Sequence, residues 1–266
     1  MASHNFKMSD NHDVELKLLK ERLEEVEKEV GRLRKIIEPA TYQDWWHRLD
    51  TNWKILFMQH VRQERSWTEA WRWAADWEVT NYQPTPKFWE KIPQIQIFGC
   101  TLQRHHPKIT SLQPLAPVTH LIGLHCGQSE VDDLEPVAHL KHVRYLDIYN
   151  THIDDLRPIA AWADLEVLNY QHGFSQVKDD LSCFPKINYL NLRYGRLDDL
   201  SCLVSLAELE QLNIAYTNVR SLKPLYEHTK LKKIYLRQTP IPENEIAEFK
   251  ELHPDCDMGF EPGDFN

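Results

Sequence analysis

The chain has 266 residues, 42% of them hydrophobic and 11% aromatic, enough apolar surface for one large domain or two smaller ones. A formal net charge of −9 excludes a general nucleic-acid binder, which must meet phosphates with a clustered basic surface; here 31 lysines and arginines are scattered among 40 acids. Five cysteines without a CxxC pair suggest neither a disulfide framework nor a zinc knuckle, and no run approaches the roughly 18 apolar residues of a membrane span.

A reducing compartment fits those cysteines, and the N-terminal MASHNFKMSDNHD lacks an apolar signal core. A soluble, cytoplasmic protein is therefore expected. Residues 1–12 are polar and aperiodic and read as a tail. Residues 13–38 read as a coiled-coil helix, with Leu16, Leu23, Val30 and Ile37 at one seam position and Leu19, Val26 and Leu33 at the other. Its flanking charges match in a parallel homodimer, where Glu15 meets Lys20, Arg22 meets Glu27 and Glu29 meets Arg34. Exposed pairs contribute only about 0.3–0.5 kcal/mol each, so they set orientation more than stability. The mixed seam leaves a trimer open, as it does a single amphipathic helix packed on its own chain. Pro39 ends the helix.

Residues 41–96 gather eight of the nine tryptophans, Trp45, Trp46, Trp53, Trp67, Trp71, Trp73, Trp77 and Trp89. Thr41 with Asp44, and Ser66 with Glu69, have cap spacing for two helices, and Thr85 followed by Pro86 opens a short third. Trp46, Leu49, Trp53 and Phe57 form one stripe on the first; Trp67, Ala70, Ala74 and Trp77 form one on the second. The rings make either an aromatic ligand cage or a small helical core that caps the C-terminal part of the chain, and the second reading is preferred.

From Ile109 onward apolar residues fall on a period of 22 residues. One column reads Leu121, Val143, Leu165, Ile187, Leu209, Leu231; the next Leu124, Leu146, Leu168, Leu190, Leu212, Ile234; a third Cys126, Ile148, Tyr170, Leu192, Ile214, Leu236. This spacing resembles the leucine-rich-repeat family, and DDLEPV at 132–137, DDLRPI at 154–159 and SLKPL at 221–225 resemble the 22-residue repeats of bacterial internalin-type proteins. The resemblance covers about residues 97–258. It implies an α/β solenoid, a right-handed leucine-rich-repeat superhelix with parallel concave strands over 97–242 and tight segments on the convex side.

Where internalin-like repeats usually carry Asn, this chain has Ser129, Thr151, Gly173, Gly195, Thr217 and Thr239, which predicts a tighter turn with fewer interior bonds. Ser175 and Lys178 make the turn at 173–181 irregular, either as a tolerated defect or as a functional loop. Residues 243–260 read as a C-terminal cap, with Ile246, Phe249 and Leu252 on one helical face, and 261–266 as a tail.

Residues alternating with the inward leucines face out of the concave sheet. They are rich in Tyr, Asn, Gln, His and Arg rather than Lys and Glu, a composition typical of interface anchors. The candidate protein-binding residues are Tyr145, Asp147, Tyr149, Asn169, Gln171, Tyr189, Asn191, Arg193, Tyr194, Gln211, Asn213, Tyr216, Tyr235 and Arg237. For Asn169, Asn191 and Asn213 a purely structural ladder competes with binding. No GxSxG, P-loop, GxGxxG or HExxH occurs; His105 and His106 form no metal set, and Cys126, beside His125 and Asp147, falls on an inward column. The reading is a non-enzymatic interaction module or multivalent adaptor for a protein partner, without cofactor, metal, nucleic acid or membrane, paired through residues 14–37. A secreted or surface adhesion protein, and an enzyme or toxin with an unrecognised site, are the alternatives.

Overall fold

The computed structural model describes residues 43–62, 83–100, 108–172 and 181–259, together with Lys20. The coiled-coil seam, the second tryptophan helix, His105 and His106, the irregular turn at 173–180 and both tails lie outside these residues. Packing divides the chain into two units, residues 1–49 and 50–266.

The first expected helix is two. Helical backbone ends at residue 48, and Asp50 opens a new helix, α1 (Thr51–Arg62), by accepting the Trp53 N–H on Oδ1 at 3.0 Å. An aspartate in the cap position satisfies an N–H that the first turn leaves orphaned, so it restarts the chain even inside one apolar stripe. Trp46, Leu49, Trp53 and Phe57 are all buried, the first two in the sequence of the first unit and the last two in that of the second. The short helix α2 (Pro86–Lys91) follows Thr85 with proline at its start, although Thr85 caps through its backbone carbonyl rather than its hydroxyl.

Eight three-residue strands then form one parallel sheet in chain order: β1 (Ile97–Gly99), β2 (Gly123–His125), β3 (Tyr145–Asp147), β4 (Val167–Asn169), β5 (Tyr189–Asn191), β6 (Gln211–Asn213), β7 (Lys233–Tyr235) and β8 (Asp257–Gly259). From β2 to β7 each residue pairs with the one 22 positions later, whereas Ile97 pairs with Gly123 and Lys233 with Asp257, so the end turns are longer. Each turn returns through a 3₁₀ segment: Gln113–Leu115, Glu135–Val137, Arg157–Ile159, Leu181–Cys183, Ser201–Leu203 and Lys223–Leu225. Four of these have proline second, where no N–H is needed, and Asp133, Asp155 and Asp199 accept the N–H two residues on to start them.

The three leucine columns are buried as their spacing requires, and Val118, Leu140, Trp162, Phe184, Leu206 and His228 add a further inward column. His228 is the polar member, with Nε2 against the Leu203 carbonyl at 3.0 Å. The hydroxyl column does make interior bonds: Ser129, Thr151, Thr217 and Thr239 each donate to the carbonyl three residues back, at 2.5–2.8 Å, and Ser129 Oγ also accepts the Val131 N–H. Gly195 closes the same turn with its backbone N–H to Leu192.

At the N-terminal edge α1 lies on β1, with Trp53 and Phe57 centred 5.8 and 4.9 Å from Phe98. His60 stacks on Phe98 at 4.2 Å, Nδ1 donating to the Leu56 carbonyl and Nε2 accepting the Gly99 N–H. Those two bonds need the neutral ring, and burial holds its pKa below the usual 6.5. At the other end α3 (Glu243–Leu252) buries Phe249, and its Glu245 carboxylate accepts from Ser221 Oγ and the Leu222 N–H. Ile246 is half-buried and Leu252 is 52% exposed, so the expected three-residue face reduces to Phe249; the chain then adds β8, a strand inside the segment expected to be only a cap.

Candidate functional site: the concave face

Four outward columns cross the sheet. In the first, Gly123 stands between Ile97 and Tyr145 and has no side chain to fill the space. The result is a hollow of about 390 Å³ lined by Ile97, Gly123, His125, Tyr145, Asp147, Val167, Asn169 and Tyr189. Ile97 is 57% and Tyr145 37% exposed, unusual for large apolar side chains on a strand. His125 Nδ1 and Asp147 Oδ2 lie 3.7 Å apart at its rim.

The second column is open at His125, half-buried at Asp147 and Asn169, and buried from β5 onward. Asn191 and Asn213 are 3% and 2% exposed, and each Oδ1 accepts the N–H two residues on, as does that of Asp147. An amide in this position turns the chain out of the strand. Asn191 and Asn213 thereby hold Arg193 and Ala215 in place rather than meeting solvent. Tyr235 is buried too, its ring lying over Gly259, where a Cβ would fall 2.7 Å from it. Tyr149 covers Gly127 in the same way, with an added Cβ only 2.1 Å from the ring. Burial, then the Tyr235 and Asp147 charges, raise the Tyr189 phenol; burial, then Asp147, raises Tyr149.

The fourth column sits just past the strands and has a backbone feature that the sequence does not announce. Gln128, Asn150, His172, Tyr194, Tyr216 and Gln238 all have φ between 53° and 62°. This left-handed region suits Gly or Asn, and for other residues it costs about 1–2 kcal/mol. Here it aligns the side chains. His172 stacks on Tyr194 at 4.4 Å and Tyr194 on Tyr216 at 4.6 Å. From the third column Arg193 lies 4.6 Å from the Tyr194 ring and 5.1 Å from Tyr216, and donates to Tyr194 Oη at 3.0 Å; Arg237 lies 5.8 Å from Tyr216. Burial and then the Arg193 charge hold His172 below 6.5. The predicted residues thus fall into two groups: Tyr145, Asp147, Asn169 and Tyr189 at the hollow, and Arg193, Tyr194, Tyr216 and Arg237 in an aromatic strip. Gln171 and Gln211 are half-buried. Ile97, Gly123, His125 and His172 belong with these groups; all but Ile97 stand in outward columns readable from the repeat, and Ile97 needed the longer first turn.

No protein-family profile matches the sequence, and none of the curated proteins does. Among solved structures, internalin inlF from Listeria monocytogenes is 22% identical over 57% of this chain and 45% of its own, with a TM-score of 0.51. Internalin C2 from the same species is 19% identical over 63% and 71%, with a TM-score of 0.54; a leucine-rich-repeat protein from Leptospira interrogans is 20% identical over 64% and 45%, also at 0.54. The fold is a leucine-rich-repeat solenoid. The chain thus spans less than half the length of two of these neighbours, and at such identity the likeness concerns architecture alone. Among the described residues no helix is long and apolar enough to cross a membrane, and no three His, Cys, Asp or Glu side chains cluster as metal ligands.

Proposed function

We propose that this solenoid is a non-enzymatic protein-binding module that seats its partner on the concave face. The observation that carries this reading is the hollow: Ile97 and Tyr145 stand exposed on either side of Gly123, on a sheet whose backbone is already paired from strand to strand. An exposed aromatic and an aliphatic residue around a concavity on a rigid scaffold is the arrangement that anchors a partner's side chain. Cys126, beside His125 and Asp147, is no candidate nucleophile: it is buried in the core, and burial, then the Asp147 charge, raises its thiol far above the ordinary range. Residues 14–37, through their heptads and matched flanking charges, would pair two chains in parallel and so present two faces, with avidity exceeding one weak contact.

Gly123→Val tests the anchor. A Cβ at this position meets Ile97 Cγ1 at 3.5 Å and Tyr145 Cβ at 3.6 Å, ordinary contacts, so the strand is kept while the hollow fills. Affinity purification with wild type and with Val204→Glu, on the convex side, should recover the same protein, and Gly123→Val should lose it. Equal recovery by all three overturns the reading.

A further inference from the structure

The strip of Arg193, Tyr194, Tyr216 and Arg237 differs from the rest of the molecule in its charge. The third and fourth outward columns, from Gly127 to Gln238, contain no carboxylate in a protein of net charge −9. On the flank that leads into the strands, cations meet acids one turn away: Arg144 with Glu166, Lys186 with Asp164, Lys230 with Glu208 and Lys232 with Glu210, at 2.6–2.8 Å. Among the described residues neither Arg193 nor Arg237 has such a partner. Of the five N–H donors of a guanidinium, Arg193 commits one, to Tyr194 Oη. Stacking on two tyrosines fixes its plane, so the donors are oriented in advance of any ligand.

The chemistry that completes such a site is an oxyanion, and the geometry narrows its source. Tyr194 and Tyr216 are stacked on each other and flanked by His172 and the arginines, so no free ring face remains for a nucleic-acid base. Two arginines are also too few to follow a phosphate backbone. Arg193 and Arg237 stand in one column two strands apart, about 9.5 Å at the usual 4.7–4.9 Å strand spacing. A polyproline-II chain brings every third residue to the same side at a repeat of about 9.3 Å, whereas a β-strand repeats every second residue, at about 6.7 Å.

We propose that this strip binds an extended acidic segment of a protein partner, polyproline-II in form, with carboxylates three residues apart seated on Arg193 and Arg237. The inference rests on the concave-face reading and deepens it.

The test uses the full chain and fluorescein-labelled Pro/Ala peptides carrying two Glu at spacings of two, three or four residues, with Gln counterparts, measured by anisotropy at low ionic strength. The three-residue spacing should bind best, added salt should weaken it, and the Gln peptides should fail. Arg237→Ala, at an exposed position, and Arg193→Gln should each weaken binding about tenfold, the scale of a lost charge-assisted pair. Lys230→Ala, on the ion-paired flank, should not change it. Equal binding of Gln and Glu peptides, no dependence on spacing, no effect of the arginine variants, or binding of oligothymidine in place of the peptides would each overturn the proposal. If the peptides fail while Gly123→Val still abolishes partner recovery, only the acidic-segment inference falls; if Gly123→Val is also without effect, the concave-face reading falls with it.

Discussion

Along the flank that leads into the strands, Arg144, Lys186, Lys230 and Lys232 each meet a carboxylate 22 residues away, so the charges of neighbouring turns close on one another. Along the strip just past the strands, the fold instead stacks His172, Tyr194 and Tyr216 on a strained backbone and, among the described residues, gives Arg193 and Arg237 no acid partner. The same 22-residue period builds both. On the flank it satisfies groups within the molecule, and on the strip it aligns groups that remain available. Periodicity therefore accounts for the fold, while the choice of residue within a column distinguishes a seam from a face.

The largest effect should come from dismantling the strip. Tyr216→Ala keeps the unfavourable φ but loses the Tyr194 stack and both arginine contacts, and should lower stability by about 1–3 kcal/mol in urea unfolding. Gln128→Gly, in the same column but without a stacking partner, should do the reverse and raise stability by about 0.5–1 kcal/mol, because glycine accepts φ of 62° without strain. If both variants moved stability in one direction, the distinction between backbone cost and side-chain gain within this column would fail.

Acid should act at the N-terminal edge, away from both stripes. The His60 pKa is lowered by burial, so its neutral form contributes stability that is complete above pH 6.5 and is lost as pH falls through the lowered value. Protection of the Gly99 amide from hydrogen exchange should fall over that range, and His60→Gln should remove the pH dependence. On the flank, Lys230→Ala should change stability by less than about 1 kcal/mol, since both partners are half exposed and solvent screens the pair. A larger loss would mean that the flank carries the fold and is more than a seam.

Much of the architecture is legible in the sequence. The leucine columns dictate the strands, and alternation along each strand dictates which residues face out, so Tyr145, Arg193, Tyr194 and Tyr216 can be named from the repeat alone. What local patterns do not show is which outward residue stays exposed. Asn191 and Asn213 alternate correctly yet turn back onto the backbone, and Tyr235 lies over a glycine on β8, a strand outside the 22-residue register. The left-handed column is hidden because glycine is absent from it and only Asn150 and His172 are residues enriched in that region. The flank ion pairs are readable by the same columns that reveal the leucines, since each joins residues 22 apart. Asp50 escapes notice because an uninterrupted apolar stripe masks a cap inside it.

Site-specific photocrosslinking tests the central claim most directly. A benzophenone side chain would replace Tyr145 at the hollow, Gln238 at the end of the strip column or Val204 on the convex side, and each product would be identified by mass spectrometry. The two concave positions are predicted to capture the same partner, and Val204 to capture none of it. Capture from Val204 alone, or equally from all three positions, would contradict binding on the concave face.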